Sequence, residues 1–160
     1  MLKGYGILTC FHCVEKPDLY LINSQDGSLV RGVDQDGIFI KDKELDYALI
    51  PFENDDGFEL ENSAPIEIEQ SIKMLGYPEY ASGNSITITK CEVTGQRPLF
   101  KSVHNIYSVS TTVVHGSSGG PVLNSDGKVI GIIDAGEEDS ISGFVGIKEI
   151  LEDINKQKQT

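Results

Sequence analysis

The sequence predicts an all-β fold closed by one C-terminal helix, and three observations carry that prediction. Short apolar runs of about four to eight residues alternate with glycine and Asp/Asn turns along most of the chain. Helical spacing appears only in Gly146–Lys158, where Ile147, Ile150, Leu151 and Ile154 make one apolar face. The chain's 160 residues suit a single domain, long enough to form a core without disulfide or metal staples.

Taken in order, the strands begin with Tyr5–Thr9 and Asp18–Ile22, the second ending before an Asp26-Gly27 turn. Asp36-Gly37 opens the third, Gly37–Ile40, and Ala48–Pro51 follows. After the Asp56-Gly57 turn come Ser71–Leu75 and, beyond Ser82-Gly83-Asn84, the long run Ser85–Val93. Ser108–Val113 and Val122–Leu123 precede the Asp126-Gly127 turn, and Lys128–Asp134 and Gly143–Gly146 complete the set before the helix. The acidic stretch Glu53–Glu61 is expected to be a solvated loop, since like charges with few apolar residues cannot bury.

Thirteen Lys+Arg against 25 Asp+Glu leave a net charge of −12, which repels phosphate backbones and anionic membrane surfaces. Neither nucleic acid nor membrane is expected as a partner. No apolar stretch approaches the ~20 residues of a spanning helix, and MLKGYGILTC carries no signal-peptide pattern, so a cytoplasmic location is expected. The three cysteines are odd in number, with Cys10 and Cys13 closely spaced, which is no secreted-type framework, and free thiols are expected.

The segment richest in chemistry is Gly116-Ser117-Ser118-Gly119-Gly120-Pro121-Val122-Leu123. A serine among glycines permits a tight turn whose backbone N–H groups, those of Gly116 and Ser118, form an oxyanion hole beside the hydroxyl. The same letters satisfy the G-x-S-x-G elbow of α/β-hydrolases, but that fold needs its histidine after the serine. Here His12, His104 and His115 all precede Ser118. A subtilisin-type order fails as well, because no Asp precedes His12 and the other two histidines lie too close to Ser118. His, then Asp, then Ser remains. His12 ends a β-run, and Asp46 in Leu45-Asp46-Tyr47-Ala48-Leu49-Ile50 enters an apolar strand where a half-buried carboxylate requires a partner. The competing aspartates, Asp18, Asp26, Asp34, Asp36, Asp42, Asp55 and Asp56, sit in or beside polar turns. Cys10-Phe11-His12-Cys13 suggests zinc only weakly, because a closed site takes four ligands and Cys91 is the one further thiol. No metal or cofactor is expected.

With these segments in hand the sequence resembles the chymotrypsin-fold, trypsin-like serine peptidases, especially their compact bacterial members. Thr9-Cys10-Phe11-His12-Cys13-Val14 is similar to the family's T-A-A-H-C/V-V segment, Asp46-Tyr47-Ala48-Leu49 to D-[IL]-A-L, and Gly116–Val122 to G-[DN]-S-G-G-P-V. Leu75-Gly76-Tyr77-Pro78 and Val129-Ile130-Gly131-Ile132 extend the resemblance nearly end to end. It implies two packed antiparallel β-barrels, residues 1–70 and 71–145, closed by a helix over 146–158. It implies Ser118 as nucleophile, His12 as general base and then acid, Asp46 as the residue orienting the imidazole, and a polypeptide as substrate.

The departures from the family carry expectations of their own. Only eight residues precede Thr9, so one or two strands that usually come first are missing, the first barrel is incomplete, and a partner chain or missing segment is expected over its open edge. Thr112, not a carboxylate, stands where the family floors its specificity pocket, so Lys or Arg is not the expected preference. Asp134 falls where relatives place a serine beside the triad aspartate, and a second carboxylate there raises one of the two pKa values. The backbone of Asp134, Ala135 and Gly136 is implied to pair with an extended substrate. His115 either lines the pocket mouth or is an exposed loop residue, and His104 reads as a surface residue. The leading expectation is a serine endopeptidase. The alternatives are a catalytically impaired domain that grips peptides, and a proteolytic sensor domain of a longer chain.

Overall fold

The computed structural model describes residues 1–16, 18–23, 25–34, 40–52, 56–98, 105–135 and 143–160. Among them the elements follow as β1 (Ile7–Thr9), β2 (Leu19–Ile22), β3 (Leu29–Val33), β4 (Ile40–Asp42), β5 (Tyr47–Ile50), β6 (Ser71–Gly76), β7 (Thr87–Pro98), β8 (Asn105–Val109), β9 (Pro121–Leu123), β10 (Val129–Asp134), β11 (Gly143–Gly146) and α1 (Ile147–Lys158).

The six strands from β6 onward close into a barrel in the order β10-β11-β8-β7-β6-β9, with antiparallel neighbours throughout. Closure leaves no unpaired edge and directs alternate residues inward, so Ile72 and Met74 of β6 meet Val122, Ile130 and Phe144 in the interior. β10 is buried along Val129–Ile133 because it is covered on both sides. Its outer face, through Val129 and Ile132, joins a second core with Leu8, Cys10, Tyr47 and the apolar face of α1.

The N-terminal half is open. β1, β5 and β4 form a three-stranded sheet, and β2 and β3 form a separate antiparallel pair. A small core of Val14, Val33, Ala48 and Ile50 links them, while Tyr20, Leu29 and Val30 remain exposed on the pair. Among the described residues the architecture is thus mostly β, with one closed six-stranded barrel, open sheets ahead of it and one C-terminal helix.

Helix α1 buries the four residues that its sequence spacing marks, Ile147, Ile150, Leu151 and Ile154. Polar contacts fix its far end: Tyr47 Oη donates to Asp153 Oδ2 at 2.6 Å, and Gln157 Nε2 donates to the same oxygen at 2.7 Å. Glu149 in the first turn and Lys156 and Lys158 in the last suit the helix dipole. Among the described residues no helix is long and apolar enough to cross a membrane.

Several boundaries differ from the sequence expectation. β3 was not anticipated, since Leu29, Val30, Arg31 and Gly32 are all exposed and print no alternating pattern. β7 runs on to Pro98 through a register shift between Val93 and Gly95. β8 lies upstream of Ser108–Val113, whose last four residues leave the sheet and lead into the serine loop. Residues 37–39 of the third expected strand, and His104, lie outside the described residues.

Because Ile154 is fully buried and Ile88 is 56% exposed, the two should respond oppositely to truncation. Ile154→Ala should lower unfolding free energy by about 2–5 kcal/mol, and Ile88→Ala by no more than about 0.5 kcal/mol, in urea titrations.

Candidate active site

His12 stands in a tight turn immediately after β1. Cys13 N–H donates to Cys10 C=O at 3.2 Å and Val14 N–H to Phe11 C=O at 2.9 Å. The N–H of His12 is thereby left for Asp46, donating to Oδ1 at 2.9 Å, while Nδ1 of the ring lies 2.6 Å from Oδ2. One carboxylate thus holds both the backbone and the imidazole of the same residue. Asp46 adopts φ 50°, the left-handed region that Asp tolerates better than most residues, at the end of the turn joining β4 to β5. The next residue, Tyr47, is wholly buried and bonded to α1, so the strained position is pinned on its downstream side.

The serine loop is fastened to the barrel wall by a pair of reciprocal bonds. Gly119 N–H donates to Ile133 C=O at 2.9 Å, and Ile133 N–H donates to Gly120 C=O at 2.8 Å. Gly119 has φ 81°, and a Cβ there would collide with Thr9 Oγ1, while one at Gly120 would collide with Leu75 C=O. The paired glycines therefore let the loop press against β1 just ahead of His12. Cys13 Sγ meets Ser118 C=O at 3.9 Å from the other side of the histidine. Ser118 Oγ accepts a hydrogen bond from Ala135 N–H at 3.3 Å. The N–H groups of Ser117 and Gly120 are used within the loop, whereas those of Gly116 and Ser118 meet no backbone carbonyl among the described residues.

A second carboxylate completes the cluster. A carboxylate oxygen of Asp134, an oxygen of Asp46 and a ring nitrogen of His12 lie within 4.8 Å of one another. Burial acts to lower the His12 pKa, but the Asp46 hydrogen bond and charge outweigh it, helped by Asp134, and the imidazole is held above its ordinary 6.5. Asp46 is also raised from 3.8, chiefly by burial, with Asp134 adding to the shift against the lowering by His12. The expected effect of a neighbouring carboxylate on Asp46 is thus present in direction. Both upward shifts favour the folded state on the acid side: the Asp46 share fades as pH rises above 3.8, and that of His12 as it rises above 6.5.

The remaining sequence candidates scatter. His115 is exposed on the loop before Gly116. Thr112 lines a cavity of about 130 Å³ with Val113, Val114, Gly76 and Ser117, and that cavity takes in none of His12, Ser118, His115 or Ala135. Gly136 lies outside the described residues. Among the described residues two triads have metal-ligand composition, Cys10/His12/Cys13 and His12/Asp46/Asp134. Both depend on the one imidazole, and each is a ligand short of a closed zinc site. All three cysteines are free thiols. The contact of Cys13 with the serine loop is the feature of the site that the sequence does not announce.

A model of the trypsin-like peptidase domain matches residues 1–132. The chain belongs to that family. No curated protein matches its sequence. Among solved structures, the HtrA-type protease AlgW with a tripeptide superposes with a TM-score of 0.71 at 21% identity, covering 93% of this chain and 50% of that one. An inactive serine-to-alanine mutant of Rv3671c from M. tuberculosis H37Rv superposes with a TM-score of 0.68 at 18% identity, covering 100% of this chain and 80% of that one. The trypsin-like domain described here therefore spans about half the length of the AlgW chain.

The His12 ring resonances should titrate with a midpoint above 6.5 in NMR spectra, and Asp46→Asn should move that midpoint down by about one pH unit or more, since burial would then act with less opposition. Asp134→Asn should move it down by less.

Proposed function

We propose that this trypsin-like domain is a serine endopeptidase in which His12, Asp46 and Ser118 act as a triad. The observation that carries the proposal is the pair of hydrogen bonds between Asp46 and His12, 2.9 Å to the backbone N–H and 2.6 Å to Nδ1, beside a glycine-flanked Ser118 loop. With Nδ1 committed to the carboxylate, Nε2 is the nitrogen that takes the proton of Ser118 Oγ as the hydroxyl attacks a peptide carbonyl. The N–H groups of Gly116 and Ser118 receive the developing oxyanion, worth about 3–4 kcal/mol for a single donor in such sites. The imidazolium returns its proton to the leaving amine, and water then releases the acyl group by the same route. Before attack, Ser118 Oγ gives up its bond from Ala135 N–H, which frees that donor for an extended substrate backbone. A polypeptide is the substrate class, and the neutral Thr112 supports a preference other than Lys or Arg.

A second reading, a domain that grips peptides without cutting them, draws on two observations. Ser118 Oγ is already engaged by Ala135 N–H, and the carboxylate of Asp134 crowds the His12–Asp46 pair. The AlgW structure, with its bound tripeptide, is compatible with either reading.

A fluorophosphonate probe separates them. Wild-type protein should be labelled on Ser118, and Ser118→Ala should lose labelling and at least about a thousandfold in hydrolysis of an unfolded protein substrate, with its circular dichroism unchanged. Peptide binding by folded wild-type protein that takes no label on Ser118 would establish the second reading.

A further inference from the structure

The two cysteines that bracket His12 are built as a pair. The Cys13 N–H to Cys10 C=O bond of 3.2 Å closes a four-residue turn. Such a turn keeps its end Cα atoms within about 7 Å, close to the 4.4–6.8 Å span that a disulfide accepts. The two Sγ atoms lie within 4.8 Å of each other and of a His12 ring nitrogen. Their roles are already divided by environment. Cys10 is fully buried and donates its S–H to Ile133 C=O at 3.1 Å. Cys13 is partly exposed, and interaction with the Cys10 thiol, then with the neighbouring imidazole, brings its own thiol down to about 7 against the opposing effect of burial. Cys10 is pushed the other way, by the same interaction and by burial. A partly exposed sulfur that ionises near neutral pH beside a protonated, shielded one is the arrangement of an attacking and a resolving thiol.

We propose that Cys10 and Cys13 are an oxidative modification site for peroxide, closing to a disulfide that displaces His12 and switches the site off. The Cys13 thiolate attacks one oxygen of hydrogen peroxide, the O–O bond breaks, and hydroxide leaves to be protonated to water, giving Cys13 sulfenic acid. Cys10 then attacks Cys13 Sγ, its thiol proton and the sulfenic hydroxyl leaving together as water. The two thiols are oxidised by two electrons and the peroxide is reduced to two waters.

Coupling to the site follows from what the sulfurs hold. Cys10 Sγ is bonded to Ile133 C=O, the carbonyl that also accepts Gly119 N–H, and Cys13 Sγ to Ser118 C=O. Drawing the sulfurs to about 2.05 Å abolishes both S–H donors and retracts them from the serine loop. The turn that tightens is the one carrying the His12 N–H that Asp46 accepts. The effect on hydrolysis rests on the peptidase reading above; the thiol chemistry does not.

The test treats reduced protein with stoichiometric hydrogen peroxide, alkylates with iodoacetamide and maps the peptides by mass. The expected result is loss of two hydrogens in the peptide containing Cys10 and Cys13, Cys91 remaining alkylated, a shift of the His12 ring resonances, and at least a tenfold fall in fluorophosphonate labelling reversed by dithiothreitol. Cys10→Ser should stop the reaction at a Cys13 sulfenic acid that dimedone traps. Alkylation of both Cys10 and Cys13 after peroxide treatment overturns the proposal, as does a disulfide that leaves the His12 resonances in place. If the reduced protein itself takes no label, the peptidase reading fails, and the switch is then decided by the disulfide and the His12 resonances alone.

Discussion

The site depends on the apolar seam where the N-terminal sheet, the outer face of β10 and helix α1 meet. Leu8 and Cys10 from β1 and its end, Leu45 and Tyr47 flanking Asp46, Ile132 from the barrel wall, and Ile147, Ile150 and Ile154 from α1 share this one core. The histidine and the carboxylate come from one side of the seam and the serine from the other. Burial of side chains of this size contributes about 1.5–3 kcal/mol each, far more than the single hydrogen bonds that trim the geometry at the rim. The seam therefore sets the relative position of the two halves, and the polar contacts adjust it. Tyr47 ties the two levels together, since its ring lies wholly in the seam while its hydroxyl reaches Asp153 on α1.

Much of this was legible in the sequence, and the parts that were not share a physical reason. The helix face and the strands β6, β9, β10 and β11 follow from periodicity because each has a face that must bury. β3 escaped because Leu29–Gly32 buries nothing among the described residues, so selection for a core leaves no mark on it. The segment Thr111-Thr112-Val113-Val114 has strand-like composition yet forms loop and cavity lining, a case of tertiary position overriding propensity. His12, Asp46 and Ser118 are singled out by chain order and by resemblance to a family. The left-handed backbone of Asp46 is not, because nothing in Leu45-Asp46-Tyr47 distinguishes a bent entry to a strand from a straight one. Likewise the contact of Cys13 with Ser118 joins residues 105 positions apart, and no local pattern encodes it.

Asp134 makes a small addition to the balance at the site, the least of the influences that raise His12 and Asp46. On the proposed triad reading, a second carboxylate within 4.8 Å of the His12–Asp46 pair would stabilise the imidazolium formed when Ser118 gives up its proton, favouring the charge-separated state on the way to attack. The same interaction stabilises imidazolium in the resting site, where a protonated His12 cannot accept that proton. The two effects carry opposite signs for the rate and one sign for the pKa of His12, which stands above 6.5. A stronger base is thus obtained at the cost of a smaller fraction of it in the working form near neutrality. On that reading the net gain falls on the alkaline side of the His12 titration, where nearly every imidazole is neutral before attack and Asp134 acts only on the charge that attack would create.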